Sequence, residues 1–124
     1  MLDARRRVLI IDDNLALAHL ISEMLESDGH ITDVAGTAEE ALSMVVPIAP
    51  DVVLTDYHLP GLNGPDLIRG LRQMGLRPAA IVISASTDDC IVSEALAAGA
   101  AFVSKPVDFR LLCPLIREAQ ASVS

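Results

Sequence analysis

Aromatic side chains are nearly absent: the 124 residues hold no Trp, one Tyr and two Phe. Val, Ile, Leu and Ala must therefore fill the interior, and an apolar share of 52% is ample for one core. Basic residues are also scarce, with nine Lys and Arg against 17 Asp and Glu and a net charge of −8. Phosphate binding rests on Lys and Arg, so no direct contact with nucleic acid is expected. The run Arg5-Arg6-Arg7 reads as a solvated lead-in to the first strand. Cys90 and Cys113 form no Cys-x-x-Cys pair and have no close His partners, which argues against zinc and against a disulfide framework. Reduced, mostly buried thiols in the cytoplasm are the expectation. No uncharged stretch approaches the ~18 residues of a bilayer span, so no membrane partner is expected. The first apolar run is too short for a signal-peptide core.

What the chain does have is alternation. Short β-branched runs and segments of helical period follow one another five times. Val8 to Asp12, Ile31 to Ala35, Val52 to Asp56, Ala80 to Ser84 and Ala101 to Ser104 read as strands; the second is the most polar, as an edge strand would be. Leu17, Leu20, Ile21, Met24 and Leu25 mark one face of a first helix that Asp28-Gly29 closes. Thr37 and Glu40 form a capping box, each side chain meeting the other residue's N–H, before a second helix with Ala41, Leu42 and Val45 that Pro47 stops. Pro60, Gly61, Asn63 and Gly64 make a turn into a third helix with Leu67, Ile68 and Leu71. Asp88 or Asp89 caps a fourth helix running to Ala98, with Gly99 at its left-handed end. Asp108 opens a fifth, with Leu111, Leu112, Leu115 and Ile116 facing inward and Pro114 in its first turns. This pattern predicts an α/β domain over 1–124, a parallel sheet with helices on both faces and no internal linker.

Three acids stand at strand ends. Asp12 and Asp13 follow the first apolar run and Asp56 ends the third, so a parallel sheet gathers them at one edge. Such a cluster repels itself unless a divalent cation sits in it.

The runs Val8-Leu9-Ile10-Ile11-Asp12-Asp13-Asn14 and Val53-Leu54-Thr55-Asp56-Tyr57-His58-Leu59-Pro60-Gly61-Leu62-Asn63-Gly64, the Ile83-Ser84-Ala85 corner, and Gly99-Ala100-Ala101-Phe102-Val103-Ser104-Lys105-Pro106 carry a resemblance. Together, in this order and spacing, they are similar to the receiver domain of bacterial response regulators. The resemblance implies a flavodoxin-like (βα)5 doubly wound sheet of order 2-1-3-4-5. It implies that Asp56 is a phosphoacceptor nucleophile, taking a phosphoryl group from a sensor histidine kinase, a histidine phosphotransfer protein or a small acyl phosphate. Asp12, Asp13 and Asp56, with the backbone carbonyl of His58, would hold Mg²⁺, and Lys105 would neutralise phosphoryl charge. Ser84 would bond a phosphoryl oxygen and Phe102 would respond as a switch, altering a surface of fourth helix, fifth strand and fifth helix that reads out through homodimerisation or partner contact. Lys105-Pro106 resembles a pair whose peptide bond is often cis. His58 and Ser86 occupy places that tune the lifetime of an aspartyl phosphate. Such a protein is a signalling phosphoacceptor rather than an enzyme acting on other substrates.

Other readings stay open at this level. Asp13 could cap the first helix, Phe102 could be core packing, and His58 could be a surface histidine. His19 and His30 read as structural or solvated, and Tyr57 as packing. A degenerate receiver would serve only as a binding module. A haloacid-dehalogenase-like phosphatase also uses an aspartate nucleophile, but needs a second Asp where His58 stands.

Overall fold

The computed structural model describes residues 5–119, so the expected domain range of 1–124 runs past the described residues at both ends. Ten elements alternate in it: β1 (Arg7–Ile11), α1 (Leu15–Ser27), β2 (Ile31–Ala35), α2 (Ala38–Ile48), β3 (Val52–Asp56), α3 (Gly64–Gln73), β4 (Ala79–Ser84), α4 (Asp89–Ala97), β5 (Ala101–Ser104) and α5 (Phe109–Glu118). The strands form one parallel sheet in the order β2-β1-β3-β4-β5, as the resemblance implied. β3 and β4 are buried along their whole length, which is why both read as unbroken apolar runs; β2, at the edge, is half-exposed and more polar.

Side chains alternate across each strand, and this divides the core between two faces. Val8, Ile10, Val52, Leu54, Ile81 and Ile83 point to the face covered by α1 and α5. Leu9, Ile11 and Val53 meet α2 and α3 on the other face, while Ala80 and Val82 meet α3 and α4. Among the described residues no helix is long and apolar enough to cross a membrane.

Several local expectations need correction. In α1 the buried stripe is Ala18, Ile21 and Leu25 with Leu17 beside it; Leu20 and Met24 face outward, because the apolar stripe is wider than the contact with the sheet. The same holds for α5, where Leu112 and Ile116 are fully buried but Leu111 is 63% and Leu115 38% exposed. Pro47 does not stop α2. It sits in the last turn, where it removes only one late hydrogen bond, and the helix ends after Ile48 with Ala49 in a left-handed conformation (φ 50°). The α2 cap is not reciprocal: Thr37 Oγ1 accepts from Glu40 N–H, but Glu40 Oε1 accepts from Gly36 N–H, one residue earlier. Arg6 is more than a solvated lead-in. Its guanidinium donates to the Arg117 carbonyl at the end of α5, where a cation suits the helix dipole, and its Nε is buried. Cys90 is exposed, and only Cys113 is partly covered, its thiol pushed up by burial. His30 is buried, accepting the Arg6 N–H at Nδ1, whereas His19 is exposed.

Candidate functional site

The carboxyl ends of β1, β3, β4 and β5 meet at one edge of the sheet, and the candidate residues stand there. Asp12 follows β1; its N–H is tied to the Ala35 carbonyl, which aims the side chain over the edge. One oxygen, Oδ1, accepts from the Asn14 N–H at 2.9 Å. The other, Oδ2, is buried and meets only the Lys105 ammonium, at 3.5 Å. Asn14, not Asp13, caps α1 by accepting from Leu17 N–H, so the helix does not need Asp13 as its cap.

Asp56 ends β3 and is fixed from both sides. Thr55 Oγ1 donates to the Asp56 carbonyl, and Tyr57 N–H continues the ladder to Ile83. The loop then turns back, with Gly64 N–H on the Tyr57 carbonyl at 2.8 Å. A Cβ at Gly64 would lie 2.7 Å from the Asp56 carbonyl oxygen, so only glycine allows this approach. Lys105 follows β5, its N–H bonded to the Ser84 carbonyl and its bond to Pro106 cis.

These placements bring four predicted residues together. Ligand oxygens of Asp12, Asp13 and Asp56 lie within 4.8 Å of one another. Lys105 Nζ reaches Asp56 Oδ1 at 3.2 Å and Asp12 Oδ2 at 3.5 Å. One ammonium thus faces three carboxylates. Burial holds the Asp12 carboxyl above its ordinary range; the Asp56 charge adds to the rise, while the Asn14 N–H and Lys105 oppose it. A buried carboxylate oxygen with only a long ammonium contact, amid hard oxygen ligands, is what a small divalent cation fits.

Ser84 is buried beside Asp56, and its hydroxyl accepts from the Ser86 N–H at 3.1 Å. The Ser86 hydroxyl in turn accepts from Asp88 N–H, and Asp88 caps α4 through Cys90 N–H. Phe102 is half-buried, between the α4 side of the core and an open groove of about 600 Å³ lined also by Val92, Leu111 and Leu115. His58 is exposed, its ring set edge-on to Tyr57 at 4.8 Å. Tyr57 is not packing alone, since its hydroxyl donates to Glu94 Oε2 on α4 at 2.9 Å. That bond pushes the phenol up and keeps it protonated. Neither this contact nor the Gly64 approach has a sequence signal, because both depend on loop paths. A second cavity of about 470 Å³ lies at the opposite edge of the sheet, lined by Arg6, Val45, Leu71 and Arg77, and includes none of the site residues.

Comparison with known proteins agrees with this geometry. A family model described as "Response regulator receiver domain" matches residues 8–117. The chain is 36% identical over 114 residues to the "DNA-binding response regulator MtrA" of Mycolicibacterium paratuberculosis, covering 91% of this chain and 50% of that protein. It is 35% identical over 108 residues to a protein-glutamate methylesterase/protein-glutamine glutaminase of Nocardioides sp., covering 82% of this chain and 29% of that one. It therefore spans about half the length of the first of these relatives and less of the second. Among solved structures, a CheY-like response regulator receiver domain protein from Methanospirillum hungatei superposes with a TM-score of 0.84 at 29% identity, covering 91% of each chain. A Francisella receiver domain gives 0.83 at 28%, covering 90% of this chain and 93% of that one. With a family match over nearly all described residues and the acid cluster at the expected sheet edge, the chain belongs to the response regulator receiver domains, the phosphorylation-activated switches of two-component signalling.

Proposed function

We propose that Asp56 is the residue of this switch that accepts the phosphoryl group. The single observation behind this reading is the convergence of Asp12, Asp13, Asp56 and Lys105 in one buried-to-exposed pocket. An Asp56 carboxylate oxygen attacks phosphorus, the P–N bond of a phosphohistidine or the P–O bond of an acyl phosphate breaks, and imidazole or carboxylate leaves. Asp12, Asp13, Asp56 and the His58 backbone carbonyl would hold Mg²⁺, which when bound neutralises part of the charge on the transferred group. Lys105 Nζ, already 3.2 Å from Asp56 Oδ1, orients that carboxylate and then stabilises the added negative charge. The chain catalyses only its own modification and its loss.

The Ser84 hydroxyl is an acceptor in the unmodified protein and keeps its own proton to offer to a phosphoryl oxygen. Drawing it toward Asp56 disturbs the Ser84–Ser86–Asp88 series that leads to the α4 cap, and opens space for Phe102 to leave the groove. His58, being exposed beside the pocket, and Ser86, at the start of that series, set how readily water reaches the aspartyl phosphate. Output passes through the α4–β5–α5 face, where Leu96, Leu111 and Leu115 are the large exposed apolar residues and Ile91 turns inward, to a partner or a second copy of the chain. The donor is a sensor histidine kinase or a histidine phosphotransfer protein, in the cytoplasm.

Incubation with acetyl phosphate and Mg²⁺ followed by intact-mass measurement tests this. A gain of one phosphoryl group that disappears in Asp56→Asn supports the acceptor role. No labelling in the wild type leaves a binding module, and labelling that survives the substitution removes Asp56 as the acceptor.

A further inference from the structure

Of the five helices, α4 buries the fewest residues. It buries one residue fully, Ala95, whereas α3 buries five. Its contact with the sheet is made of small side chains, Ala95 and Ala98 against Ala80, Val82 and Ala100, with Ile91 only partly covered. Alanine contacts contribute little apolar area, so packing alone holds this helix weakly. Among the described residues, one side-chain hydrogen bond joins α4 to another part of the fold: Tyr57 hydroxyl to Glu94 Oε2, 2.9 Å and partly buried. Tyr57 is the residue directly after Asp56, and its own backbone is locked on both sides, N–H to Ile83 and carbonyl to Gly64. Its ring packs in the same cluster as Phe102. A phenol beside the acceptor, on a backbone fixed at both ends, thus grips the middle of the least buried helix, while the Ser84–Ser86–Asp88 series reaches that helix at its first turn.

We propose that the Tyr57–Glu94 hydrogen bond is a latch, which holds α4 against the acceptor strand in the unmodified protein and opens when α4 moves. The switching half of this proposal rests on Asp56 being the acceptor; the holding half does not. The bond belongs to the resting arrangement, so it opposes activation, and removing it shifts the population toward the moved state. A charge-assisted bond at a partly exposed site carries roughly a threefold to tenfold change in such an equilibrium.

Amide hydrogen exchange on the whole chain measures the holding half, with no phosphoryl analogue present. Tyr57→Phe, which removes only the hydroxyl, and Glu94→Ala are expected to speed exchange in α4 by similar factors of roughly three to ten. The double variant should go no further than either single one, and Glu94→Gln, which keeps an acceptor oxygen but not the charge, should fall between the wild type and Glu94→Ala. Titration with beryllofluoride and Mg²⁺ measures the switching half, and Tyr57→Phe should bind tighter by roughly the same factor. Unchanged α4 exchange in Tyr57→Phe, or effects of the two single variants that add, would overturn the latch. Faster exchange with unchanged beryllofluoride affinity would overturn its part in switching. A wild-type chain that takes no beryllofluoride contradicts the acceptor role of Asp56 and the switching half with it, while the exchange data still decide the holding half.

Discussion

The two edges of the sheet handle charge in opposite ways. At the amino ends of the strands, carboxylates meet donors of their own: Asp33 the Arg7 guanidinium, Asp28 that of Arg117, and Asp51 the Arg7 N–H. His30, buried there, accepts the Arg6 N–H and lies 3.3 Å from Asp28. These contacts tie β1, β2, α1 and α5 to one another across long sequence separations. At the carboxyl ends, three carboxylates share one lysine, and the buried Asp12 Oδ2 meets only that ammonium, at 3.5 Å. At the first edge each of these carboxylates is matched by a donor, so that edge is closed; the second, open edge is left short of positive charge, which favours a cation and, through it, a phosphoryl group.

Substitutions can sharpen or break that contrast. The largest effect is expected from Lys105→Ala. It removes the cation that faces the three carboxylates, so the rate of labelling by acetyl phosphate should fall on the order of a hundredfold, as loss of a preorganised charge at a reacting centre does. Phosphoryl incorporation over time measures this, and a rate within a few-fold of the wild type would mean that the lysine is only a structural counter-ion. At the closed edge, His30→Ala should cost about 2–3 kcal/mol of stability, because it opens a cavity and leaves the partly buried Arg6 N–H without its acceptor. Denaturant melting measures the loss; the rate of labelling of the folded protein should not change. Gly64→Ala should cost about 1–2 kcal/mol, since the added methyl meets the Asp56 carbonyl, and should also slow labelling by displacing the acceptor. A stability loss with unaltered labelling would show that the loop gives way without moving Asp56.

Asp12→Asn is the mildest and has an opposite sign. The folded Asp12 carboxyl is raised above 3.8, chiefly by burial, so the ionised form is the one the fold disfavours. The sign follows from proton linkage: in a metal-free sample the unfolded chain holds fewer protons at this site between pH 3.8 and the raised value. Stability from this group is therefore full below that window and lost as pH rises through it. Asparagine keeps an oxygen for the Asn14 N–H and removes the charge. Metal-free Asp12→Asn should melt a few degrees above the wild type at neutral pH, with the difference vanishing in acid.

The sequence carried the sheet and the site frame for a physical reason. Strands buried on both faces must be apolar throughout, so Val8–Ile11 and Val52–Leu54 mark their own positions and leave Asp12 and Asp56 at their ends. Caps at Asp88 and Asp108 depend on neighbours two residues away and are local too. What stayed hidden depends on distant partners. Periodicity showed that α5 has an apolar stripe, yet which leucines the sheet covers is set by β5 and α4, so Leu111 and Leu115 face a groove instead. Likewise the Tyr57–Glu94 bond and the Arg6–Arg117 contact follow from chain paths that no local pattern encodes.

The contrast between the edges comes down to whether the open one takes a divalent cation. Melting temperature measured against Mg²⁺ concentration, for the wild type and Asp12→Asn in parallel, tests this most directly. The wild type should rise to a plateau, by about 5 °C at tenfold excess over the dissociation constant, and Asp12→Asn should respond little or not at all. A wild type indifferent to Mg²⁺, or an equal rise in both proteins, would contradict a cation site at Asp12, Asp13 and Asp56.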